Sequence, residues 1–482
     1  MTRPAMTTTE DSTQQRSSVL LRRAPLVVFA LFLLTVTVVF VRPIGDSDAW
    51  WHLRLGEELT RTWALSDPPA WTRFATESWV ATQWLPEIVA ALWTAWFGLA
   101  GLVWLVCATV LVLAVTLYAV CRREAGRLPA ALATILGFGG MAATLTPRPQ
   151  LVTFVLLVVT LGAWLQTVRD LRPRWWLVPM SWVWACCHGL WFSGAVLGAV
   201  VVAGLVLDGR ARGRSALTLL AVPLLSVVAA AVTPVGPRLL LAPFAVGGIS
   251  EFITEWQRPS FFDLGPALTA AMIAAVVVLG ARNRRRASWV SIGLLVLAAA
   301  WTLLSVRTVA LGAAITAPLL AGALDQVLPR RESGPPSRQE KITVATAAAS
   351  CLVVAALLAA VLSSVRVPAN VPSELDGALD GLPPHTVIWN DYNLGGWIDY
   401  RHPTLEVVAD GRAEAFGAEQ LEKYGRVVRT EPGWEEILRT SGAHVAIVGT
   451  DTPLASALQE RLGWRPLGQA DGYVLLGDGT LA

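Results

Sequence analysis

Charged side chains are scarce in this sequence of 482 residues: they make up 15%, where soluble domains carry about 25%. That balance excludes a chain exposed to water on all sides. Cysteine is sparse as well. Cys107, Cys121, Cys186, Cys187 and Cys351 lie in or beside apolar runs, with no CxxC or Cys–His spacing. Neither a zinc site nor a disulfide framework is indicated, and core packing is the role these residues suit. The chain has no phosphate-cradling glycine loop, no Ser-His-Asp set and no basic stripe interleaved with aromatics. No nucleic-acid partner is expected.

What is abundant is apolar sequence, 54% of residues, with a mean hydropathy of +0.54. It comes in runs of roughly 18–22 residues, the length that crosses about 30 Å of hydrocarbon, so the chain reads as a polytopic α-helical membrane protein. The first run, Ala24 to Val41, follows Arg16, Arg22 and Arg23. No small-x-small cleavage site succeeds it, so an uncleaved span is expected. Further basic clusters stand at Arg122-Arg123-Arg127, Arg169-Arg172-Arg174, Arg210-Arg212-Arg214, Arg282-Arg284-Arg285-Arg286 and Arg330-Arg331-Arg338-Lys341. Between consecutive clusters lies enough apolar sequence for two crossings. All of them face the cytoplasm at once if there are about eleven spans with the N-terminus inside.

That threading imposes one condition: Trp84–Phe97, which contains Pro86 and Glu87, stays an interfacial or re-entrant helix, and Gly98 starts the second span. The expected organisation is then a cytoplasmic tail (1–23), a transmembrane region (24–366) with a long first outer loop (42–97), and an extracytoplasmic segment (367–482). In the last part, β-type runs at 385–389, 405–409, 444–449 and 472–477 alternate with helical stretches near 418–428, 434–440 and 453–462. This alternation predicts a small α/β domain. The location expected is the plasma membrane.

The densest chemistry is in "GDSDAWWHLRLGEEL", residues 45–59, directly after the first span. A helix starting at Asp48 puts Arg54, Glu57, Glu58 and Arg61 on one face, with Arg54–Glu58 and Glu57–Arg61 as i,i+4 pairs. Asp48, His52, Leu55 and Leu59 share the opposite stripe with Trp51, which describes an amphipathic helix lying in the interface. Asp48 as a helix cap is the bland explanation. It accounts for one carboxylate but not for Asp46 and His52 beside it. A carboxylate at such a boundary acquires a raised pKa and suits the role of a base. The loop also holds Trp50, Trp51, Trp63, Trp71, Trp79, Trp84, Trp93 and Trp96; an interfacial belt explains most of them, while Trp50 and Trp51 are candidates to stack on a sugar or polyprenyl chain.

Together these features resemble the GT-C superfamily, membrane glycosyltransferases that use polyprenyl-phosphate-linked sugars. Within it the chain is similar to a bacterial group with DxDxWWHLxxG in the first outer loop, here Asp46, Asp48, Trp50, Trp51, His52, Leu53 and Gly56. Further similar segments are "QWLPE" at 83–87, "TPRPQ" at 146–150, "CHGLWFSG" at 187–194, "TEWQRPSF" at 254–261, "SVRTVAL" at 305–311, "WNDYNLGGWIDY" at 389–400 and "VVADGRAE" at 407–414. The resemblance implies an aspartate of the first outer loop as general base on the acceptor hydroxyl, which displaces lipid phosphate from the sugar with inversion. Asp48 matches that position, with Asp46 as partner or substitute. The departing phosphate needs positive charge or donors, for which Arg148, Arg238, Arg258 and Arg307, stranded on the outer side, are candidates with His52 and His188. Pairing with Glu251, Glu255 or Asp263 is the structural alternative. Asp46 and Asp48 could also hold a divalent ion, Mg or Mn.

The enzyme so implied moves a sugar from a polyprenyl-phosphate donor to a cell-envelope glycan, lipid or protein. A flippase for the lipid-linked sugar and a non-catalytic assembly factor of the envelope are the competing readings. In the C-terminal part, Asn390, Asp391, Asn393, Gly395 and Gly396 read as a polar loop, and Asp410-Gly411-Arg412 as a turn closing a strand.

Overall fold

In the computed structural model the described residues are 8–66, 68, 70–245, 254–282, 287–328, 334–363 and 368–480. Arg284–Arg286, Arg330, Arg331 and Glu251 lie outside them. Among the described residues thirteen α-helices precede the C-terminal domain: α1 (Thr8–Phe40), α2 (Asp48–Thr62), α3 (Trp84–Glu124), α4 (Arg127–Met141), α5 (Gln150–Asp170), α6 (Leu177–Cys187), α7 (Phe192–Leu207), α8 (Arg214–Ala231), α9 (Arg238–Ala245), α10 (Leu264–Arg282), α11 (Trp289–Leu304), α12 (Val309–Val327) and α13 (Arg338–Ser363). The segment expected as a tail is helical from Thr8 and runs through Pro25 into the first apolar stretch.

Seven helices among the described residues are long and apolar enough to cross a bilayer, including α5, α8, α10 and α13; Ala24–Phe40, α6 and α11 are shorter apolar helices. The expected eleven crossings exceed what length and hydropathy alone support. Gly98 has φ 64° and ψ −169°, and it divides α3 into a limb over 84–97 and a longer one to Glu124. Only glycine enters that backbone region at no steric cost, so the break falls where Pro86 and Glu87 required the first limb to remain distinct.

Side-chain ties identify the two ends of the bundle. At one end Glu340 accepts from Arg122 Nε at 2.8 Å and Arg127 Nε at 3.0 Å, and Arg169 meets Glu124 at 2.7 Å. Arg122, Arg127 and Arg169, from two of the basic clusters, thus gather there with the start of α13. The loops of opposite parity converge at the other end, where the C-terminal domain sits.

That domain contains α14 (Asp376–Asp380), β1 (Val387–Asn390), α15 (Tyr392–Arg401), β2 (Glu406–Val407), α16 (Ala413–Val428), α17 (Trp434–Ser441), β3 (Val445–Gly449), α18 (Pro453–Leu462), β4 (Arg465–Ala470) and β5 (Tyr473–Gly477). The sheet order is β2-β1-β3-β5-β4, with β1 parallel to β2 and β3, and β5 antiparallel to β3 and β4. Four strands match the β-type runs. β4 was not expected, because Pro466 and Gly468 interrupt its pattern; it is an edge strand with a register shift between those residues. The polar loop expected at 390–396 is also corrected. Asp391 caps α15 by accepting from the Asn393 amide at 2.9 Å, and Leu394, Trp397 and Ile398 bury on one face.

The helix α2 has apolar cover on two sides. Trp51, Leu55 and Leu59 enter the bundle core. Ala49, Trp50 and Leu53 enter a second core with Leu394, Trp397, Ile398, Ile447 and Leu475 of the C-terminal domain. The interfacial amphiphile expected from the sequence is therefore a filling between two bodies. Arg54, expected to pair with Glu58 along the helix, donates across to Asp399, at 2.7 Å to its carbonyl and 3.1 Å to its carboxylate.

Trp50 is 1% exposed, with the Trp397 ring edge-on at 4.8 Å. Trp50→Ala is expected to cost about 3–5 kcal/mol, the range for truncating a buried large aromatic. A lowered thermal midpoint in detergent, with protease access to the C-terminal domain gained first, checks it.

Candidate active site

The first turn of α2 begins at Asp48, but Asp48 does not cap it. Ser47 is the N-cap residue and makes no side-chain cap bond. The Asp46 carboxylate accepts the Asp48 amide at 3.0 Å, so Asp46 takes the local structural task. The Asp48 side chain is left to turn sideways, toward the connections that converge at this end of the bundle.

It meets Arg148, between Pro147 and Pro149 in the α4–α5 connection. Arg148 Nε donates to both Asp46 oxygens at 2.9 and 2.8 Å, while Nη1 pairs with Asp48 Oδ2 at 2.8 Å and donates to Glu255 Oε1 at 2.7 Å. Glu255 comes from a short 3-10 turn, Thr254–Trp256, and its other oxygen faces Arg307 Nη1 at 3.6 Å. Arg307 in turn donates from Nη2 to His188 Nε2 at 2.8 Å. An arginine cannot accept, so His188 Nε2 is the acceptor; on the other side of the ring the Leu190 amide faces Nδ1 at 3.3 Å. Its side chain fixes a guanidinium.

Burial shapes the charge states. Burial pushes the Asp48 carboxyl up to about 6, against the pull of Arg148 and with a further push from Asp46. Burial also works against charge on Arg148, but Asp48, Asp46 and Glu255 outweigh it and hold that guanidinium firmly protonated. His52 is held well below the usual histidine range by burial, with Arg148 and Arg307 adding to the effect. At neutral pH it is an uncharged ring.

A cavity of about 80 Å³ opens beside this charge centre. Its polar lining is His52, Glu87, Thr109 and Arg148; the rest is apolar, including Leu102, Leu105 and Val106 of α3 and Leu151 and Val152 of α5. His52 Nδ1 is 2.7 Å from Glu87 Oε1, which sets the ring's direction. Glu87 was read in the sequence only as a reason for the first limb of α3 not to cross. The structure makes it the partner of His52.

The C-terminal domain closes the other side. A Cβ on Gly411 would collide with Asp48 Oδ1 and come within 2.6 Å of Trp51 Nε1, so this turn lies directly on the Asp48 carboxylate. The turn is held from beneath. Arg412 is fully buried, ion-paired with Asp410, and lies over Trp71 with its guanidinium carbon 3.8 Å from the ring centroid. Arg54 approaches the same ring at 4.3 Å. Burial pushes the Asp399 carboxyl well up, with Asp410 beside it adding to the rise; Asp410, equally buried, is held down by Arg412. The turn motif 410–412 was legible as a turn only. Its ion pairs are local, Arg412 with Asp410 and Asp399, but the Trp71 ring beneath it comes from the first loop and leaves no periodic trace.

The structure thus brings Asp46, Asp48, His52, Arg148, His188 and Arg307 to one end of the bundle, Arg148 and Arg307 being linked through Glu255. Arg258 is exposed and makes no hydrogen bond or ion pair with a described residue. Trp50 has no free face, its ring being covered by Trp397 and Tyr400. Trp51 is 6% exposed and its ring packs on His52 at 3.5 Å between centroids. A free stacking platform at 50–51, expected from the sequence, is not what these contacts provide. For a divalent ion at Asp46 and Asp48, the guanidinium of Arg148 lies between the two carboxylates. Among the described residues no three His, Cys, Asp or Glu side chains converge as metal ligands.

A helical bundle with a mixed α/β domain seated on its first long loop is a fold this chain shares with solved oligosaccharyltransferase structures. The particular structures it resembles are archaeal. The Archaeoglobus fulgidus oligosaccharyltransferase tethered by a disulfide bond to an acceptor peptide with the NVT sequon matches with a TM-score of 0.57 and 14% identity, over 90% of this chain and 69% of that one. AglB from the same organism, in complex with an inhibitory peptide and a dolichol-phosphate, matches with a TM-score of 0.53 and 12% identity, over 89% and 69%. The enzyme in complex with Zn and sulfate gives 0.52 and 14%, over 89% and 68%. No family model and no curated protein matches the sequence.

Removing Arg412 would leave Asp410 without its buried counter-charge. Arg412→Ala is expected to cost about 3–5 kcal/mol, as for breaking a buried ion pair from one side. Unfolding of the C-terminal domain at lower temperature than the bundle, followed by limited proteolysis, checks it.

Proposed function

We propose that this chain is a multi-pass membrane glycosyltransferase that moves a sugar from a polyprenyl-phosphate donor to an acceptor outside the cytoplasm, with inversion and with Asp48 as general base. The observation that carries the reading is the Asp48 carboxylate, raised to about 6, set between the Gly411 turn and the Arg148 guanidinium, which itself lines a largely apolar slot. The fold likeness supports it: the archaeal enzyme is described with a dolichol-phosphate and with an acceptor peptide, a lipid phosphate and a polar acceptor.

In this reading the basic loops face the cytoplasm, about eleven segments cross, and the C-terminal domain lies outside. The carrier's prenyl chain follows Leu102, Leu105, Val106, Leu151 and Val152, which present a hydrocarbon lining. Its phosphate reaches Arg148 and Arg307. His188 holds Arg307 in place, and His52 borders the phosphate from the cavity side.

The acceptor hydroxyl enters beneath the 410–412 turn and gives its proton to Asp48 as its oxygen attacks the anomeric carbon. The bond from that carbon to the phosphate oxygen breaks, and lipid phosphate departs with the electron pair. A positioned base contributes about 10²–10⁴ in rate. A fixed charge on the leaving oxygen contributes roughly 3–4 kcal/mol. Glycan, lipid and protein acceptors all present the hydroxyl or amide this step needs.

Incubating the purified protein with labelled polyprenyl-phosphate sugars and envelope extract tests the class. Asp48→Asn is expected to lower transfer about 10²–10⁴-fold while donor binding persists; unchanged turnover would remove Asp48 from the mechanism. The base must be ionised, and its carboxyl is raised to about 6, so kcat should fall as pH drops through 6 and level off above it. Asp46, Glu255, Arg148, Arg307 and Tyr392 are the charged and titratable groups around it, so the limb should shift in Arg148→Lys.

A further inference from the structure

We infer that Arg148 takes the place of a divalent cation in this site: one fixed guanidinium is the positive centre shared by Asp46, Asp48 and Glu255. The catalytic use of that centre rests on the transferase reading above, but its existence does not. Three carboxylates brought together from two segments ordinarily need a counter-ion. A Mg²⁺, Mn²⁺ or Ca²⁺ ion meets oxygen ligands at about 2.0–2.6 Å. Here the oxygens stand at 2.7–2.9 Å from two nitrogens of a single planar group, Nε taking Asp46 and Nη1 taking Asp48 and Glu255. An ion close enough to bind Asp46 and Asp48 together would overlap the guanidinium. The DxD spacing that suggests a metal is therefore occupied by a side chain of the same protein.

The surroundings keep the arginine there. Pro147 and Pro149 flank it and restrict its backbone. The three acids stabilise its charge against burial. A guanidinium is planar, permanently charged and able to bind several carboxylates along different edges, which an ammonium cannot do. Its remaining nitrogen, Nη2, makes no hydrogen bond to a described residue, so a phosphate oxygen can be met without releasing the acids. Unlike an exchangeable ion, this cation also fixes the distance between Asp48 and Glu255, and through Glu255 the position of Arg307.

Manganese binding to the full-length detergent-purified protein separates the alternatives without reference to sugar transfer. Titrated with MnCl₂ and followed by electron paramagnetic resonance, the natural protein should bind no ion that Asp46→Asn abolishes. Arg148→Ala, which empties the space between the acids, should gain one bound Mn²⁺ per chain, lost again in Arg148→Ala/Asp46→Asn. The thermal midpoint should rise with MnCl₂ for Arg148→Ala and stay constant for the natural protein. An Mn²⁺ ion in the natural protein that Asp46→Asn removes would overturn the inference. Should Arg148→Ala fail to fold, the natural protein decides alone: insensitivity of its midpoint to both MnCl₂ and EDTA supports the built-in cation, and an Asp46-dependent rise refutes it. Absence of sugar transfer would weigh against the proposed function and leave these results standing.

Discussion

Helix α2 is gripped on two faces, and the rest of the site depends on that. Its Trp51, Leu55 and Leu59 belong to the bundle core, and its Ala49, Trp50 and Leu53 to the core of the C-terminal domain. A helix gripped from both sides cannot roll, because any rotation exposes a large apolar side chain on one side and overpacks the other. The residues at its leading end inherit that rigidity. Asp48 and His52 sit along the seam between the two cores, where one looks toward Arg148 and the other toward Glu87.

The charges then follow from topology. Connections of one parity emerge at one end of the bundle, and each delivers a single important group: Arg148, His188, Glu255 or Arg307. Arg148, Glu255 and Arg307 find their charged partners on other segments. Together they form a chain from Asp46 and Asp48 through Arg148 and Glu255 to Arg307 and His188. Charges in such low-dielectric surroundings persist only when paired, so each group holds its neighbour in place. The C-terminal domain adds the lid; Arg54 of α2 ties to its Asp399, and Arg412, paired with Asp410 inside the turn, lies over Trp71 of the first loop.

Much of the architecture was legible in local patterns. Residue 98 was identified as a helix break because fourteen apolar residues with Pro86 and Glu87 are too short and too polar to cross. The strands 387–390, 445–449 and 473–477 were legible as short β-branched runs. β4 was not, since Pro466 and Gly468 remove the alternation on which strand reading depends. α15 was read as a loop because its sequence opens with Asn, Asp and two glycines; only the Asp391 cap and the burial of Leu394, Trp397 and Ile398 make it a helix. Asp48 was read as a cap or a base, and the structure gives the capping contact to Asp46.

By itself the sequence determined what local composition controls: the apolar lengths that suit a membrane, the helix at 48–62 and the mixed fold of the C-terminal part. Which carboxylate meets which guanidinium was decided only by tertiary structure. Arg148 lies 102 residues from Asp46 and 107 from Glu255, and Arg54 lies 345 from Asp399. Over such separations the partner is chosen by how helices pack and where their connections emerge. Electrostatic attraction requires only that a buried charge find some partner; packing selects the one it finds.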